Sequence, residues 1–398
     1  MKFYFAPCKT CRLLHIKGSV WLSLLLLLIS SAVFANPVLK PAPPELSAKS
    51  YLLMDAKTGE ILVEQDIDVQ LPPASLTKMM TSYIASEEIA QGRLNYEDKV
   101  LITDNAWKKG GAKSGGSTMF LNPRTEVTVK ELLKGVIIQS GNDAAIALAE
   151  HIAGGETAFA DVMNQQAQQL GMYGSRFENA TGWPAEGHVS TARDLAILAK
   201  AIIYDHPEDY ALYKEKYYEY NGINQPNRNR LLFRDRSVDG LKTGHTEAAG
   251  YCLVSSAERE GMRLIAVVLG TDSDDIRARE SQKLLSYGFR YFESAQLFDE
   301  GHRFDEIKVW AGKSDAVPLM LGEGIALTIP RGSRDKISAE AKVDQNVIAP
   351  IAEGQVLGEL VISLNNEVLT RKNLIAETSV EEAGLLGRMW DKLMMKFE

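Results

Sequence analysis

Cysteine is scarce in this sequence, with three among 398 residues. Cys8 and Cys11 are spaced as Cys-x-x-Cys, which suits a redox or zinc motif, but both lie in an N-terminal segment that we expect to be removed. Cys252 is then the one cysteine left, so an intrachain disulfide is excluded from the mature chain. We expect no cofactor and no metal ion.

Positive charge is scarce as well. The sequence has 44 basic and 52 acidic side chains, and four of the basic ones lie in the first 35 residues. Without that segment 40 basic residues face 52 acidic ones, a net charge of −12. Nucleic-acid binding depends on clustered basic residues, so a nucleic-acid partner is excluded. Internal repeats and low-complexity tracts are also missing.

One long apolar run is present, "VWLSLLLLLISSAVFA" at residues 20–35, after a basic start without acidic residues. It ends in small residues, with Val33 and Ala35 at the −3 and −1 positions of a cleavage site. This pattern predicts a secretory signal peptide over residues 1–35 and an exported chain. The alternative, an uncleaved membrane anchor, is less favoured because the run is short for a membrane span.

Residues 36–295 are predicted to form one α/β domain. After a proline-rich lead-in, "SYLLMD" and "EILVEQ" predict a β-hairpin, and "GYCLVSSAE" with "RLIAVVLG" predicts a second one. Strands at both ends of the domain predict one sheet that is built from both ends and flanked by a helical insert. Helical periodicity covers residues 75–91, 128–152, 157–170, 191–204 and about 274–292.

The composition changes near residue 296. Residues 296–377 consist of short apolar runs separated by Gly, Pro, Asp and Asn, which predicts a small all-β domain. Residues 378–398 return to helical spacing, and an amphipathic helix of this kind can lie in a membrane interface. The alternative is a helix packed on the β domain or on a partner. The predicted apolar face holds Leu386, Trp390, Leu393, Met394 and Phe397, opposite Arg388, Asp391 and Lys392.

The stretch "PPASLTKMM" sets Ser75 three residues before Lys78, which is one turn apart on a helix. A serine hydroxyl becomes a good nucleophile only when a nearby base takes its proton. A lysine can be that base if burial or a second cation lowers its pKa. On its own the spacing is weak support, because Ser75 could simply cap the helix and "SRDK" at 333–336 repeats the pattern.

Two further motifs follow in order. "QSGND" places Ser140 and Asn142 between two helical runs, and "GLKTGHT" places Lys242, Thr243 and Gly244 ahead of the second hairpin. Together with the Ser-x-x-Lys motif they form the three-part signature of β-lactamases and penicillin-binding proteins.

Each motif also has a second copy elsewhere in the sequence. The other Lys-Thr-Gly, Lys57–Gly59, forms the turn of the first hairpin and precedes the serine, while Ser333 and Ser363 lie in the predicted β domain. The set Ser75, Ser140 and Lys242 is the one that falls in order within a single domain, so we assign the chemistry to it.

Each element has a physical task in this hypothesis. Lys242 would lower the pKa of the lysine base and attract a substrate carboxylate, and Gly244 would let a substrate backbone lie close. Ser140 would relay protons and Asn142 would orient a substrate amide. Backbone N–H groups of Ser75 and of a residue just past the glycine would form an oxyanion hole. None of the six histidines is needed as the base.

These motifs, with "KTGHT" and "RARESQKLLSYGFRYFE", resemble the low-molecular-mass penicillin-binding proteins that are D-alanyl-D-alanine carboxypeptidases. The resemblance covers nearly the whole mature chain. It implies a β-lactamase/transpeptidase-like α/β fold and a serine acyl-enzyme mechanism on peptidoglycan stem pentapeptides that end in D-Ala-D-Ala. It also implies covalent inhibition by β-lactams, a periplasmic location and contact of the terminal helix with the inner-membrane surface.

The resemblance further implies roles for four residues. Thr243 and Arg277 would hold the terminal carboxylate, and the N–H of His245 would complete the oxyanion hole. Ser117, in "KSGGSTMF", would line the site. Arg279, two residues beyond Arg277, is an alternative to it.

Two other functions share this chemistry. Class A β-lactamases use a Glu-x-x-x-Asn segment between the second and third motifs, and no glutamate between Ser140 and Lys242 has an asparagine four residues on. The other alternative is a penicillin-binding sensor or scaffold that is acylated but scarcely turns over. The sequence leaves that alternative open.

Overall fold

The computed structural model describes residues 41–344 and 346–395. The signal peptide predicted over residues 1–35, Phe397 and the side chain of Lys392 lie outside the described part. Internal contacts divide the chain between Pro41 and Ala42, and all contacts given below lie on the C-terminal side of that division.

Strands and helices follow one another along the described residues. In chain order the strands are β1 (Ser50–Asp55), β2 (Ile61–Gln65), β3 (Lys99–Leu101), β4 (Glu126–Thr128), β5 (Tyr217–Tyr220), β6 (Ile223–Pro226), β7 (Val238–Thr246), β8 (Gly250–Arg259), β9 (Met262–Thr271), β10 (Phe292–Phe298), β11 (Arg303–Trp310), β12 (Ala316–Leu321), β13 (Ile325–Pro330), β14 (Ile337–Val343), β15 (Val347–Ile348), β16 (Val356–Leu364) and β17 (Glu367–Ala376). The helices are α1 (Thr77–Ala90), α2 (Asp104–Gly110), α3 (Val129–Lys134), α4 (Asn142–Ala153), α5 (Glu156–Leu170), α6 (Ala192–Asp205), α7 (Pro207–Tyr210), α8 (Leu231–Arg234), α9 (Asp274–Tyr291) and α10 (Leu385–Met394).

A five-stranded antiparallel sheet joins the two ends of the α/β domain in the order β2-β1-β9-β8-β7. Successive side chains of a strand point to opposite faces. Leu52 and Met54 of β1 therefore enter one apolar core, while Tyr51 and Leu53 enter the other, which α9 covers. This confirms the predicted sheet built from both ends of the domain. Strand β7, which carries the Lys-Thr-Gly motif, was not predicted, because its two glycines and short apolar runs give no alternating pattern.

The helical insert is built around α1, which has ten of its fourteen residues buried. A helix enclosed in this way must satisfy its polar side chains internally. Thr81 Oγ1 accordingly donates to the Ala180 carbonyl at 2.7 Å. The helix expected over residues 128–152 is broken into α3, a single π-helical turn at Gly135–Gln139, and α4. Ser140 sits at the break in the left-handed conformation, with φ at 59°.

The β domain follows directly after α9 in the chain. Its six-stranded sheet has the order β14-β16-β17-β12-β11-β15, and β10 pairs with β13 as a separate ribbon. This confirms the all-β architecture, although β structure begins at Phe292, before the boundary expected at 296. The domain contacts the first hairpin through Asp55, whose carboxylate accepts hydrogen bonds from the hydroxyls of Ser294 and Thr328.

The terminal helix α10 begins at Leu385, later than the expected residue 378. The chain before it stays with the β domain, because Val380 forms a β-bridge to Ile351 and Glu382 forms one to Gly312. Among the described residues no helix combines the length and hydropathy that a membrane crossing requires.

Candidate active site

Ser75 lies in a single 3-10 turn, Ala74–Leu76, that leads directly into α1. Lys78 Nζ donates a hydrogen bond to Ser75 Oγ at 3.1 Å. No side chain caps α1, whose N-cap residue is Leu76, so Ser75 does not serve as the helix cap. The serine hydroxyl is instead placed against an amine that can take its proton.

Lys78 is buried, with 1% of its surface exposed. Its ammonium group also donates to the Thr181 carbonyl at 2.7 Å. Burial lowers the pKa of Lys78 to about 7, although the charge of Asp143 acts in the opposite direction. A large share of Lys78 is therefore neutral near neutral pH, as a general base must be.

The second motif is positioned by the break between α3 and α4. Ser140 is buried at the rim of the cleft, and the Asn142 N–H donates to the Ser117 carbonyl at 2.8 Å. The Asp143 carboxylate accepts from Thr118 Oγ1 and from the Met119 N–H, at 2.7 and 2.8 Å. The segment that contains Ser117 is thus fixed to the second motif by both backbone and carboxylate contacts.

Lys242 lies on β7 and is buried beside the same site, where its Nζ donates to the Thr243 carbonyl at 3.2 Å. Burial, and then the charges of Lys78, Arg277 and Arg228, hold the pKa of Lys242 well below its usual range. We expected the charge of Lys242 to lower the pKa of Lys78. Burial is instead the main cause of the lowered pKa of Lys78. The repulsion between the two amines lowers the pKa of Lys242.

Gly244 is required where β7 approaches the 3-10 turn that carries Ser75. A Cβ at this position would lie 2.9 Å from the Pro73 carbonyl oxygen and 3.3 Å from the Ala74 Cβ. We expected the glycine to make room for a substrate backbone. The contacts add a second reason, because a side chain here would also push β7 away from the turn that carries Ser75.

Arg277 and Arg279 point in different directions. Arg277 is 7% exposed, and its Nη1 donates to the carbonyls of Gly244 at 2.9 Å and Cys252 at 3.3 Å. The side chain of Arg279 is 57% exposed and pairs with Glu280. Of these two arginines, Arg277 is therefore the one that lines the cleft.

A cleft of about 520 Å³ brings the motifs together. Lys78 and Lys242 lie buried beneath its surface. The predicted residues that line the cleft are Ser75, Ser117, Ser140, Asn142, Thr243, Gly244, His245 and Arg277. The second copies of the motifs do not line it. Thr58, in the Lys-Thr-Gly copy at Lys57–Gly59, instead contacts Thr328 of the β domain, with 2.6 Å between the two hydroxyl oxygens.

A loop at residues 178–188, which no sequence motif indicated, holds Lys78 in place. Asn179 Oδ1 accepts hydrogen bonds from the backbone N–H groups of Thr181, Gly182 and Trp183. The loop conformation that these hydrogen bonds fix points the Thr181 carbonyl at Lys78. A Cβ on Gly182, which has φ at +84°, would lie 1.8 Å from the Ala74 carbonyl oxygen, so the loop packs directly on the turn that carries Ser75.

"ENATGWPAEG" is recognisable only as a turn-forming stretch, because a carbonyl acceptor leaves no side-chain signature. Trp183 and Arg228 also line the cleft without belonging to a motif. Across the described residues there is no group of three or more His, Cys, Asp or Glu that could hold a metal ion.

Comparison with known proteins identifies the family. The family described as D-alanyl-D-alanine carboxypeptidase matches residues 38–273, and the penicillin-binding protein 5 C-terminal domain matches residues 292–382. D-alanyl-D-alanine carboxypeptidase DacC of Escherichia coli K12 is 45% identical over 357 residues, which are 89% of each chain.

Two solved structures extend the match. Penicillin-binding protein 5 from Haemophilus influenzae superposes with a TM-score of 0.82 at 41% identity, covering 86% of this chain and 100% of that one. Penicillin-binding protein D2 from Listeria monocytogenes in its ampicillin-bound form gives 0.55 at 30% identity, covering 63% of this chain and 100% of that one. On its sequence and its fold, the chain belongs to the D-alanyl-D-alanine carboxypeptidase family of low-molecular-mass penicillin-binding proteins.

Proposed function

We propose that this chain removes the terminal D-alanine from peptidoglycan stem peptides through an acyl-enzyme on Ser75. One observation carries the proposal: Ser75 Oγ lies 3.1 Å from the amine of Lys78, at the floor of the cleft, and burial lowers the pKa of that amine to about 7. The site thus pairs a hydroxyl nucleophile with a base that is active at neutral pH.

In the acylation step neutral Lys78 takes the hydroxyl proton while Ser75 Oγ attacks the carbonyl carbon between the two D-alanines. The N–H groups of Ser75 and His245 stabilise the oxyanion. The C–N bond then breaks, and Ser140 passes the proton from Lys78 to the leaving amine. Water hydrolyses the ester and restores the free hydroxyl.

The leaving D-alanine carries a carboxylate, which needs positive charge and hydrogen-bond donors. We assign this role to Thr243 and Arg277, which line the cleft, and to Lys242 buried beneath them, and we assign contact with the peptide to Asn142 and Ser117. A β-lactam presents a carboxylate and a reactive carbonyl in a similar arrangement. The same residues would therefore hold the antibiotic while Ser75 is acylated.

Release of D-alanine from a synthetic peptide that ends in D-Ala-D-Ala tests the function. We expect one D-alanine per peptide and stoichiometric acylation by penicillin. Rapid penicillin hydrolysis without D-alanine release would make the chain a β-lactamase. Stable acylation with neither D-alanine release nor penicillin hydrolysis would make it a sensor.

We further propose that the signal peptide exports the chain to the periplasm, where α10 contacts the inner membrane. Asp391 Oδ2 accepts from the Ala311 N–H at 2.7 Å, and Arg388 pairs with Glu382, so the polar side of α10 is tied to the β domain. The opposite side presents a group of exposed apolar side chains: Leu385, Leu386, Met389, Trp390, Leu393 and Met394. This face is available to insert into a membrane interface.

Deleting residues 385–398 should release the protein from membrane vesicles and leave turnover of soluble peptides unchanged. Burial of each large apolar side chain contributes about 1.5–3 kcal/mol, so attachment of the full chain should persist in high salt. Vesicle co-sedimentation measures this attachment. Trp390→Ser should weaken attachment, whereas Tyr173→Ser, on an even more exposed aromatic of the catalytic domain, should not. A truncated chain that stays on the vesicles would refute the anchor.

A further inference from the structure

Strand β14 is a free edge of the six-stranded sheet in the β domain. It is the first strand in the order of that sheet, and among the strands of the described residues only β16 pairs with it. The five residues Ser338–Lys342 are exposed, and the two end residues, Ile337 and Val343, are partly buried. Such a strand presents a row of backbone N–H and C=O groups with which a further strand can pair.

The side chains of β14 alternate between an apolar face and a charged face. Ala339 and Ala341 lie opposite core residues of β16. Glu340 and Lys342 point to the other face, because successive side chains of a strand alternate. Neither of these two has an ion-pair partner among the described residues. The edge therefore carries two unpaired charges of opposite sign, two residues apart.

A second copy of this chain matches these charges. A twofold axis perpendicular to the sheet makes two copies of one strand antiparallel. With the axis at Ala341, Glu340 of each copy lies directly opposite Lys342 of the other copy. In the same register Ala339 of each copy lies opposite Val343 of the other. Opposite charges in such cross-strand pairs stabilise the pairing.

The neighbouring registers are unfavourable. Moving the axis to Glu340 or to Lys342 would set two like charges directly opposite each other, which destabilises a strand pair. An axis between two residues would place the apolar face of one strand beside the charged face of the other. Charged side chains usually protect an edge strand from pairing. On β14 their order instead favours one partner strand, which is its own second copy.

A cavity of about 340 Å³ lies beside this edge. Its walls include Leu297 and Phe298 of β10 and Ala339 of β14. Because Val343 of the second copy lies opposite Ala339, its side chain would cover apolar walls that are open in a single chain. The cavity and the charges therefore point to the same register.

We propose that two copies of this chain associate through their β14 strands, antiparallel and with the twofold axis at Ala341. The two six-stranded sheets then continue into each other, and two Glu340–Lys342 pairs cross the junction. Helix α10 is tied to Ala311, which directly follows β11 near the opposite end of the sheet. Association therefore leaves the exposed apolar side of both helices free.

The association has a consequence for membrane attachment. A pair of chains carries two α10 helices, and the second helix binds from a chain that is already held at the surface. Two linked attachments bind more strongly than one, because the second is intramolecular. Weakening the pairing of β14 should therefore also weaken attachment to vesicles, although α10 is unchanged.

Sedimentation velocity of the purified protein over a concentration series tests the association. The wild type should pass from monomer to dimer as its concentration rises. Glu340→Lys and Lys342→Glu each convert two attractive pairs into two repulsive ones, so each should weaken dimerisation by about tenfold or more. Glu367→Lys makes the same change of charge at an exposed residue of β17 and should dimerise like the wild type.

Mixing the two single variants tests the register. Glu340→Lys has two cations on its strand and Lys342→Glu has two anions, so the two proteins should form a mixed dimer although each alone pairs weakly. A chain with both substitutions should dimerise like the wild type, because its two charges have exchanged places. Penicillin acylation of Ser75 should be unchanged in every variant, which shows that the catalytic domain is folded.

Three results would overturn the proposal. The wild type could stay monomeric at every concentration, both in solution and on vesicles. A dimer could form equally well in the wild type and in Glu340→Lys, which would place the contact elsewhere, for example on α10. Both single variants could lose the dimer without forming a mixed dimer, which would refute the axis at Ala341.

Discussion

Replacing Ser75 by alanine should abolish covalent labelling by a fluorescent penicillin and lower D-alanine release by at least about 10⁴-fold, the scale seen when a nucleophile is removed from a serine hydrolase. The fold should persist, because Ser75 Oγ makes one hydrogen bond and Lys78 keeps its contact with the Thr181 carbonyl. A thermal melting point within a few degrees of the wild type checks that the loss is chemical. Mass spectrometry of the labelled wild type should place the adduct on Ser75.

Ser333→Ala is the matched control for this prediction. Ser333 also precedes a lysine by three residues, but it lies buried in the β domain. Labelling and turnover of this variant should equal those of the wild type. An adduct on any residue other than Ser75 would contradict the assignment of the nucleophile.

Much of this site was predictable because its side chains carry local signatures. Ser75 and Lys78 are one helical turn apart, and Ser140 and Asn142 follow an apolar helical run, so sequence spacing alone brings each pair together. The two hairpins and the all-β domain were predictable for the same reason, since alternating apolar residues and turn residues are local patterns.

The unpredicted features depend on contacts between distant residues. Lys78 and the Thr181 carbonyl are 103 residues apart, and the carbonyl belongs to a backbone that any residue type could supply. Gly244 is needed because of its approach to Pro73, which no local pattern reveals. The burial that lowers the pKa of Lys78 likewise comes from the assembled domain, not from the neighbouring sequence.

Lys78→Arg should reduce the acylation rate by about 10²- to 10⁴-fold, the usual contribution of a general base. Arginine keeps the positive charge but cannot give up its proton at neutral pH. In the wild type the acylation rate should rise as pH increases through about 7, because Lys78 must lose its proton to act. Stopped-flow measurement of penicillin acylation between pH 5 and 9 should show this rise in the wild type and no rise in the variant.

Lys242→Arg separates the role of charge from that of proton transfer. The substitution keeps a cation at the carboxylate end of the cleft, so the acylation rate should fall much less than in Lys78→Arg. The permanent charge should also favour the neutral form of Lys78, because the two amines repel each other across the buried site. The rise in acylation should therefore move to lower pH in Lys242→Arg. Equal losses in the two variants would mean that Lys78 acts through its charge and that another group takes the proton.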